Sequence, residues 1–190
     1  MNKAAFLDRD GVINQKAKKG EYITRWDEVR FLPGVAEAIN LLHVAGFVVI
    51  VVTNQRCVAK GLMTIAELEN MHQLMRDELM RAGSFIDAIY YCPHEYHHHC
   101  SCRKPAPGML FQAAEKYDVD LRASWMIGDS EIDVAAGKNA GCRTARLLGQ
   151  DEVAKEDADI SASDLLGAVQ KILQRQGTIA ECQMTDTTRA

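Results

Sequence analysis

Apolar runs of strand length alternate along the chain with longer segments whose apolar residues recur every three to four positions. Residues 47–52 are apolar throughout and rich in β-branched side chains, which is typical of a strand covered on both faces. Residues 34–45 have apolar positions at helical spacing and precede Gly46, which predicts a helix that ends there. The same patterns predict strands at residues 3–7, 85–91, 125–127 and 143–147, and helices from Thr64, from near Pro107, through residues 134–138 and over residues 163–173.

This alternation predicts an α/β fold, a Rossmann-like parallel sheet with helices on both faces. Thr64 and Glu67 have the spacing of a capping box at the start of the second helix, and Ser163 is the predicted cap of the last helix. No internal repeat or interdomain linker is visible. We therefore predict a single domain over residues 1–175, without a cap domain, and a polar tail over residues 176–190.

Composition narrows the class of protein. The chain has 190 residues, of which 47% are hydrophobic and 25% charged, as in an ordinary globular domain. A net charge of -4 gives no electrostatic reason to expect nucleic acid as a partner. No apolar run approaches the ~20 residues needed to cross a bilayer, and acidic residues come too early for a signal peptide, so a cytoplasmic location is expected. A monomer is expected because nothing in the sequence demands a larger assembly. The six cysteines are then expected to be metal ligands or free thiols.

Polar residues cluster where three of the predicted strands end. Asp8 and Asp10 follow the first strand, Thr53 and Asn54 the second, and Asp129 the fourth. Ligands of parallel α/β sheets bind beyond the carboxyl ends of the strands, so these segments are expected to form one site. In extended backbone Asp8 and Asp10 point to the same side, and two close carboxylates require a cation or a shared proton. The pair therefore predicts either a hard metal ion or a divided acid and base role.

The wider set of polar residues suits phosphoryl transfer. Carboxylate oxygens with retained water are the environment that Mg²⁺ prefers, and Mg²⁺ commonly takes phosphate as a further ligand. Thr53 offers a hydroxyl and Lys104 a positive charge for phosphoryl oxygens. A carboxylate nucleophile that forms an aspartyl-phosphate fits this set. Asp133 is either a fourth carboxylate of the site or a residue that favours the N-terminal turn of its own helix.

Four segments in order resemble the motifs of haloacid-dehalogenase (HAD) superfamily phosphatases: residues 6–11 (FLDRDG), 51–55 (VVTNQ), 102–105 (CRKP) and 127–129 (IGD). They are most similar to the small cap-less group that contains heptose-bisphosphate phosphatases and histidinol-phosphatases. The resemblance implies that Asp8 is the nucleophile and Asp10 the general acid and base. It further implies that Thr53 and Lys104 bind the transferring phosphoryl group and that Arg103 binds the substrate, with Asn54 beside them. Mg²⁺ would be held by the Asp8 carboxylate, the Asp10 backbone carbonyl and Asp129.

A second metal site is predicted in the loop CPHEYHHHCSC at residues 92–102. Cys92, His94, Cys100 and Cys102 make a Cys₃His set suited to tetrahedral Zn²⁺, and the cap-less phosphatases carry a similar loop. A closed set of four ligands has no open position, so this zinc would be structural. It would stiffen the loop that presents the residues at positions 103 and 104. Two alternatives remain: one of the histidines at positions 97–99 replaces a cysteine, or the thiols are free.

The substrate is the least determined expectation. A second phosphate needs cations, which Arg56 and the basic loop containing Lys19 could supply, although these side chains could equally be solvated; the other basic residues of that loop are Lys16, Lys18 and Arg25. We expect a small phosphorylated metabolite, with a heptose 1,7-bisphosphate cleaved at its 7-phosphate favoured over histidinol phosphate or another small sugar phosphate. Cys57 and Ser130 depart from the heptose group, where glycine and lysine are common. An inactive, zinc-stabilised binding module is the alternative from another class.

Overall fold

A computed structural model of the chain describes residues 1–149 and 158–177. Its strands form one parallel sheet in the order β3-β2-β1-β4-β5-β6. The chain builds the sheet outward from β1 in one direction and then returns to add β4 on the other side, as in doubly wound folds. The strands are β1 (Lys3–Leu7), β2 (Phe47–Asn54), β3 (Ala88–Cys92), β4 (Trp125–Gly128), β5 (Arg143–Leu147) and β6 (Ile160–Ala162).

In the part of the chain that the structure describes, five α-helices cover the sheet on both faces, as the pattern predicts. Alternate residues of the central strands point to opposite faces, so Ala5 and Leu7 pack with one set of helices whereas Ala4 and Phe6 pack with another. The first face is covered mainly by α1 and α5 and the second by α3, with the end of α4 beside it. The helices are α1 (Val35–Val44), α2 (Ile65–Arg81), α3 (Gly108–Tyr117), α4 (Glu131–Ala140) and α5 (Leu165–Arg175).

The capping box predicted for α2 is confirmed. Thr64 Oγ1 accepts a hydrogen bond from Glu67 N at 3.2 Å, and Glu67 Oε2 accepts one from Thr64 N at 2.7 Å. The cap predicted for the last helix is wrong by one residue. Asp164 Oδ1 accepts from Gly167 N at 2.8 Å, while Ser163 Oγ donates to the other oxygen of Asp164 at 2.9 Å. The Asp164 side chain therefore caps the helix, and the Ser163 hydroxyl supports it.

Strand boundaries differ from the predictions in three places. Thr53 and Asn54 belong to β2 rather than to the loop after it. The third strand begins at Ala88, because Phe85 is half exposed and stacks on His43 instead of joining the sheet. The sequence pattern missed β6, since three residues at a sheet edge are too few to show a period.

The residues from 178 to the C-terminus lie outside the part of the chain that the structure describes. The polar tail predicted over residues 176–190 lies, beyond Gly177, outside the described residues. The single domain over residues 1–175 stays a prediction. Within residues 1–149 and 158–177, no helix is both long and apolar enough to cross a membrane.

Candidate active site

Strand register brings the polar residues of three motifs to one edge of the sheet. Leu7 pairs with Val51 on one side and with Ile127 on the other, so the residues that follow these three positions emerge together. They line an open cavity of about 250 Å³. Its lining consists of Asp8, Asp10, Lys16, Tyr22, Thr53, Asn54, Arg56, Tyr96, Arg103, Lys104, Asp129, Ser130 and Ile132.

Asp8 lies at the floor of this cavity with one oxygen fixed. Its Oδ1 accepts a hydrogen bond from Arg9 N at 2.7 Å and lies 2.9 Å from Lys104 Nζ. Because both contacts are made by Oδ1, Oδ2 is the oxygen that remains available to react. Burial raises the pKa of Asp8 to about 7, although the charge of Lys104 acts in the opposite direction. Added positive charge is therefore needed to keep this carboxylate fully ionised near neutral pH.

Lys104 is the buried cation of the site. Its side chain is 2% exposed, and Nζ contacts Val52 O at 2.8 Å, Asp8 at 2.9 Å and Asp133 at 2.6 Å. Burial would lower the pKa of Lys104, but the two carboxylates outweigh it and raise that pKa. Asn54 holds the backbone of Lys104 from both sides, since its Oδ1 accepts from Lys104 N and its Nδ2 donates to Lys104 O, each at 3.0 Å. Asn54 thus positions the lysine.

Asp133 performs both of the functions considered for it. Its Oδ1 is paired with Lys104, and its Oδ2 accepts from Ser130 N at 3.1 Å and from the Ser130 hydroxyl. The second contact closes the N-terminal turn of α4. Gly128 must lack a side chain here, because a Cβ would overlap the side chain of Asp133. Burial favours the neutral form of Asp133, but Lys104 reverses this effect and lowers the pKa of its carboxyl.

Asp10 is held by residues that the sequence did not identify. Arg9 is 2% exposed and forms a forked pair with the Asp10 carboxylate at 2.9 Å. Asn14 Nδ2 donates to Oδ1 at 2.9 Å and Gln55 Nε2 donates to Oδ2 at 3.0 Å. Burial would raise the pKa of Asp10, but Arg9 and these hydrogen bonds lower it below the usual value. Asp10 is therefore ionised in this state.

Thr53 is placed to donate a hydrogen bond into the cavity. Its side chain is 1% exposed, and Oγ1 accepts from Gln55 Nε2 at 2.9 Å. With that contact made, the hydroxyl proton is available for an acceptor such as a phosphoryl oxygen. Gln55 thus orients both Thr53 and Asp10 from one amide nitrogen.

The carboxylates meet the requirements of a divalent-cation site. One oxygen from each of Asp8, Asp129 and Asp133 lies within 4.8 Å of the others. Among residues 1–149 and 158–177, Asp129 Oδ1 is buried without a hydrogen-bond partner, and Oδ2 is paired with the ammonium of Lys16. The ammonium of Lys16 thus supplies positive charge beside the carboxylates, and Asp129 Oδ1 remains available as a ligand oxygen. Because both oxygens of Asp133 are engaged, Asp8 and Asp129 are the side chains that fit Mg²⁺.

The turn that follows Asp8 and Asp10 depends on Gly11. This residue has φ of +88°, and Gly11 N donates to Asn14 O at 2.7 Å. A Cβ at this position would overlap the Asp129 carboxylate. Glycine is therefore required both by the backbone conformation and by the approach of Asp129 to the site.

The four residues predicted as zinc ligands lie together beside this cavity. Cys92 Sγ is 3.5 Å from His94 Nδ1 and 3.6 Å from Cys100 Sγ. Cys102 Sγ is 3.3 Å from His94 Nδ1 and 3.4 Å from Cys100 Sγ. Zinc bonds of about 2.0–2.3 Å in a tetrahedron separate the ligand atoms by ~3.6–3.8 Å, so the set fits Zn²⁺ closely. The neighbouring His98 is engaged elsewhere, since its Nδ1 accepts from the backbone N of residue 95.

The loop over residues 92–102 carries an aromatic platform for two arginines. The guanidinium carbons of Arg56 and Arg103 lie 4.4 and 4.2 Å from the ring centre of Tyr96. Arg103 Nη1 donates to His94 O at 3.1 Å, and Arg56 Nε donates to Glu95 Oε2 at 2.8 Å. Both arginines line the cavity, so two guanidinium groups lie at its mouth, one of which is ion-paired with Glu95.

Not every predicted substrate residue reaches the cavity. Lys19 is exposed and lies outside the cavity lining, whereas Lys16 of the same loop contacts Asp129. The sequence also missed Arg9 and Tyr96 as contributors, and it placed Gln55 at the end of the second strand without assigning it a role. Arg9 and Gln55 stand inside the motifs quoted above, and this position was the available signal for both.

Comparisons with known proteins agree with this geometry. A family model described as HAD-hydrolase-like matches residues 101–168. The D-glycero-beta-D-manno-heptose-1,7-bisphosphate 7-phosphatase of Rhodopseudomonas palustris is 41% identical over 155 residues, which cover 78% of this chain and 84% of that relative. The protein of the same name from Escherichia coli is 36% identical over 178 residues, covering 90% and 92% of the two chains.

A solved structure extends the likeness to three dimensions. The D,D-heptose 1,7-bisphosphate phosphatase from B. bronchiseptica, complexed with magnesium and phosphate, matches with a TM-score of 0.81 and 36% sequence identity. The match covers 91% of this chain and 99% of that chain. The superfamily and group predicted from the motifs are thereby confirmed. The chain belongs to the D-glycero-beta-D-manno-heptose-1,7-bisphosphate 7-phosphatase family of HAD phosphatases, which are phosphomonoester hydrolases.

Proposed function

We propose that this protein removes the 7-phosphate of D-glycero-beta-D-manno-heptose 1,7-bisphosphate through an aspartyl-phosphate on Asp8. The observation that carries the proposal is the fixed Asp8 carboxylate, with Oδ1 held by Lys104 and by Arg9 N beneath an open cavity. The family relationship supplies the substrate, since relatives of that name match most of this chain.

In the first step Asp8 Oδ2 attacks phosphorus and the bond from phosphorus to the sugar oxygen breaks. The leaving alkoxide takes a proton from Asp10, and Lys104 with the Thr53 hydroxyl holds the equatorial phosphoryl oxygens. In the second step Asp10 removes a proton from water, which attacks phosphorus and restores the Asp8 carboxylate. Asp10 is ionised here, and the negative substrate raises its pKa through like-charge repulsion, which favours the acid form that the first step needs.

Mg²⁺ is proposed to be held by the Asp8 carboxylate, the Asp10 backbone carbonyl and Asp129. Its charge offsets the repulsion between the nucleophile and the phosphate, and it keeps Asp8 ionised. The proposal is supported by the unpartnered, buried Oδ1 of Asp129 and by the raised pKa of Asp8. The relative from B. bronchiseptica was crystallised with magnesium and phosphate.

Zn²⁺ is proposed to be bound by Cys92, His94, Cys100 and Cys102 as a structural ion. His94 links this site to the substrate, because its backbone oxygen accepts the hydrogen bond from Arg103 Nη1. Metal analysis is expected to give about one zinc per chain, and Cys100→Ser to lower that content and raise KM. Zinc content well below one equivalent in folded, active wild type would overturn the assignment.

Arg56 and Arg103 are proposed to bind the phosphate that does not react. Two guanidinium groups stacked on Tyr96 at the cavity mouth are suited to a second phosphate on the far end of a small substrate. Arg56→Met is expected to raise KM for the bisphosphate about tenfold and to leave KM for heptose 7-phosphate unchanged. Arg122→Met, which removes an exposed arginine outside the cavity lining, is the matched control. Equal effects on both substrates would contradict this role.

The decisive experiment compares Mg²⁺-dependent phosphate release from both anomers of heptose 1,7-bisphosphate, heptose 7-phosphate and histidinol phosphate. We expect the beta-anomeric bisphosphate to have the highest kcat/KM, and Asp8→Asn to lose at least about 1,000-fold in kcat while remaining folded. Preference for histidinol phosphate would replace the proposed substrate. Absence of turnover on every substrate by folded, metal-loaded protein would instead indicate a binding module.

A further inference from the structure

Lys16 forms a contact that the proposed reaction does not use. Its ammonium is paired with Asp129 Oδ2, and its side chain is 51% exposed. The backbone from which it projects is fixed, because Gln15 N donates to Arg30 O at 2.8 Å and Asn14 Nδ2 donates to Gln15 O at 2.8 Å. A fixed backbone with a half-exposed side chain allows the ammonium to move while its point of attachment stays in place.

The charge balance of the carboxylate cluster explains why Lys16 lies there. Lys104 pairs with Asp8 and Asp133, but it forms no ion pair with Asp129. The turn between β4 and α4 supplies no cation either, because its residue after Asp129 is the uncharged Ser130, whose hydroxyl donates to Asp133. Within the described residues, Lys16 is thus the cation that is ion-paired with Asp129.

We propose that Lys16 is a tethered cation that occupies Asp129 in the metal-free protein and competes with the divalent cation for it. The inference rests on the metal site proposed above. A divalent cation on Asp129 would lie within a few ångströms of the ammonium, and like charges at that distance repel. Lys16 must therefore leave when the metal binds. It lines both the active-site cavity and a neighbouring cavity of about 390 Å³, which gives the side chain space to move into.

The test is direct titration of the zinc-saturated protein with Mn²⁺, with free Mn²⁺ measured by electron paramagnetic resonance. Lys16→Met is expected to bind Mn²⁺ about two- to tenfold more tightly than wild type, which is the range for loss of a partly exposed ion pair. Lys16→Arg keeps the charge and is expected to retain the wild-type affinity within about twofold. Lys138→Met, which removes an exposed lysine at the far end of α4, is the control for net charge alone.

The outcomes separate this inference from the proposed function. Asp129→Asn is expected to abolish the tight Mn²⁺ site, and binding that survives this change would be at another site and would overturn both. Wild type that binds no Mn²⁺ would likewise overturn both. If wild type binds Mn²⁺ and Asp129→Asn does not, then equal or weaker binding by Lys16→Met overturns the competition alone. An equal gain in Lys138→Met would also overturn it, because the effect would then arise from net charge.

Discussion

Lys104→Met is the substitution for which the structure gives the sharpest expectation. Methionine keeps the length and the apolar stem of the side chain but removes the ammonium that contacts Val52 O, Asp8 and Asp133 at 2.6–2.9 Å. Two buried carboxylates then lose their cation. Removal of one partner from a buried ion pair costs about 3–5 kcal/mol, because a charge remains buried without compensation.

The loss is expected to depend on pH in a defined direction. Without Lys104, burial raises the folded-state pKa values of Asp8 and Asp133 above the unfolded value near 3.8, so the folded variant binds more protons than the unfolded chain. The stability of the variant therefore falls as pH rises above 4. We expect a loss in the free energy of unfolding of about 3–5 kcal/mol at pH 8. The loss shrinks towards pH 5, by up to ~1.4 kcal/mol per pH unit for each carboxyl that takes up a proton.

The assay is urea denaturation of zinc-saturated, magnesium-free protein at pH 8 and pH 5, followed by circular dichroism. Lys138→Met, the same change at an exposed position, is expected to cost less than about 1 kcal/mol at either pH. In an Asp133→Asn background the effect of Lys104→Met is expected to be smaller, since one of the two carboxylates is already neutral. A loss below about 1 kcal/mol at pH 8, or a loss independent of pH, would refute the reasoning.

Two further predictions concern stability and a third concerns metal binding. His72 is 5% exposed, and burial lowers its pKa to about 3. The free energy of unfolding is therefore expected to fall by about 2 kcal/mol between pH 8 and pH 5, because the histidine takes up a proton only in the unfolded chain. Denaturation curves of His72→Phe are expected to lack this decline, and the same pH dependence in both proteins would contradict the prediction. Asp164→Ala removes the cap of α5 and is expected to lower the free energy of unfolding by about 1 kcal/mol. Gly11→Ala is expected to weaken Mn²⁺ binding at least about tenfold, because its Cβ would displace Asp129; wild-type affinity would exclude that overlap.

Local sequence predicted the site residues well where the chemistry is carried by a motif at a strand end. Asp8 and Asp129 follow neighbouring parallel strands and Thr53 lies at the end of another, so the pattern of apolar runs was enough to bring them together. The four predicted zinc ligands were recognisable because they stand within one short loop, and their ligand atoms lie within 4.8 Å of one another. In both cases the distances between residues are set by regular backbone geometry or by short chain separation.

Sequence reasoning could not assign which charged side chains pair with one another. It gave Arg9 no role, but this side chain is buried and clamps the neighbouring Asp10. The choice of Lys16 rather than Lys19 as the residue that reaches Asp129 depends on how one loop is anchored, not on its composition.

The sequence by itself determined the fold class, the edge of the sheet that carries the site, the resemblance to a family of phosphatases and the candidate ligands of the two proposed metal sites. The tertiary structure decided how the charges pair: Lys104 with Asp8 and Asp133, Arg9 with Asp10, and Lys16 with Asp129. The physical reason is that apolar periodicity reports which face of an element is buried. The pairing of charges depends instead on strand register, on loop anchoring and on the desolvation of each group, which exist only in the folded chain.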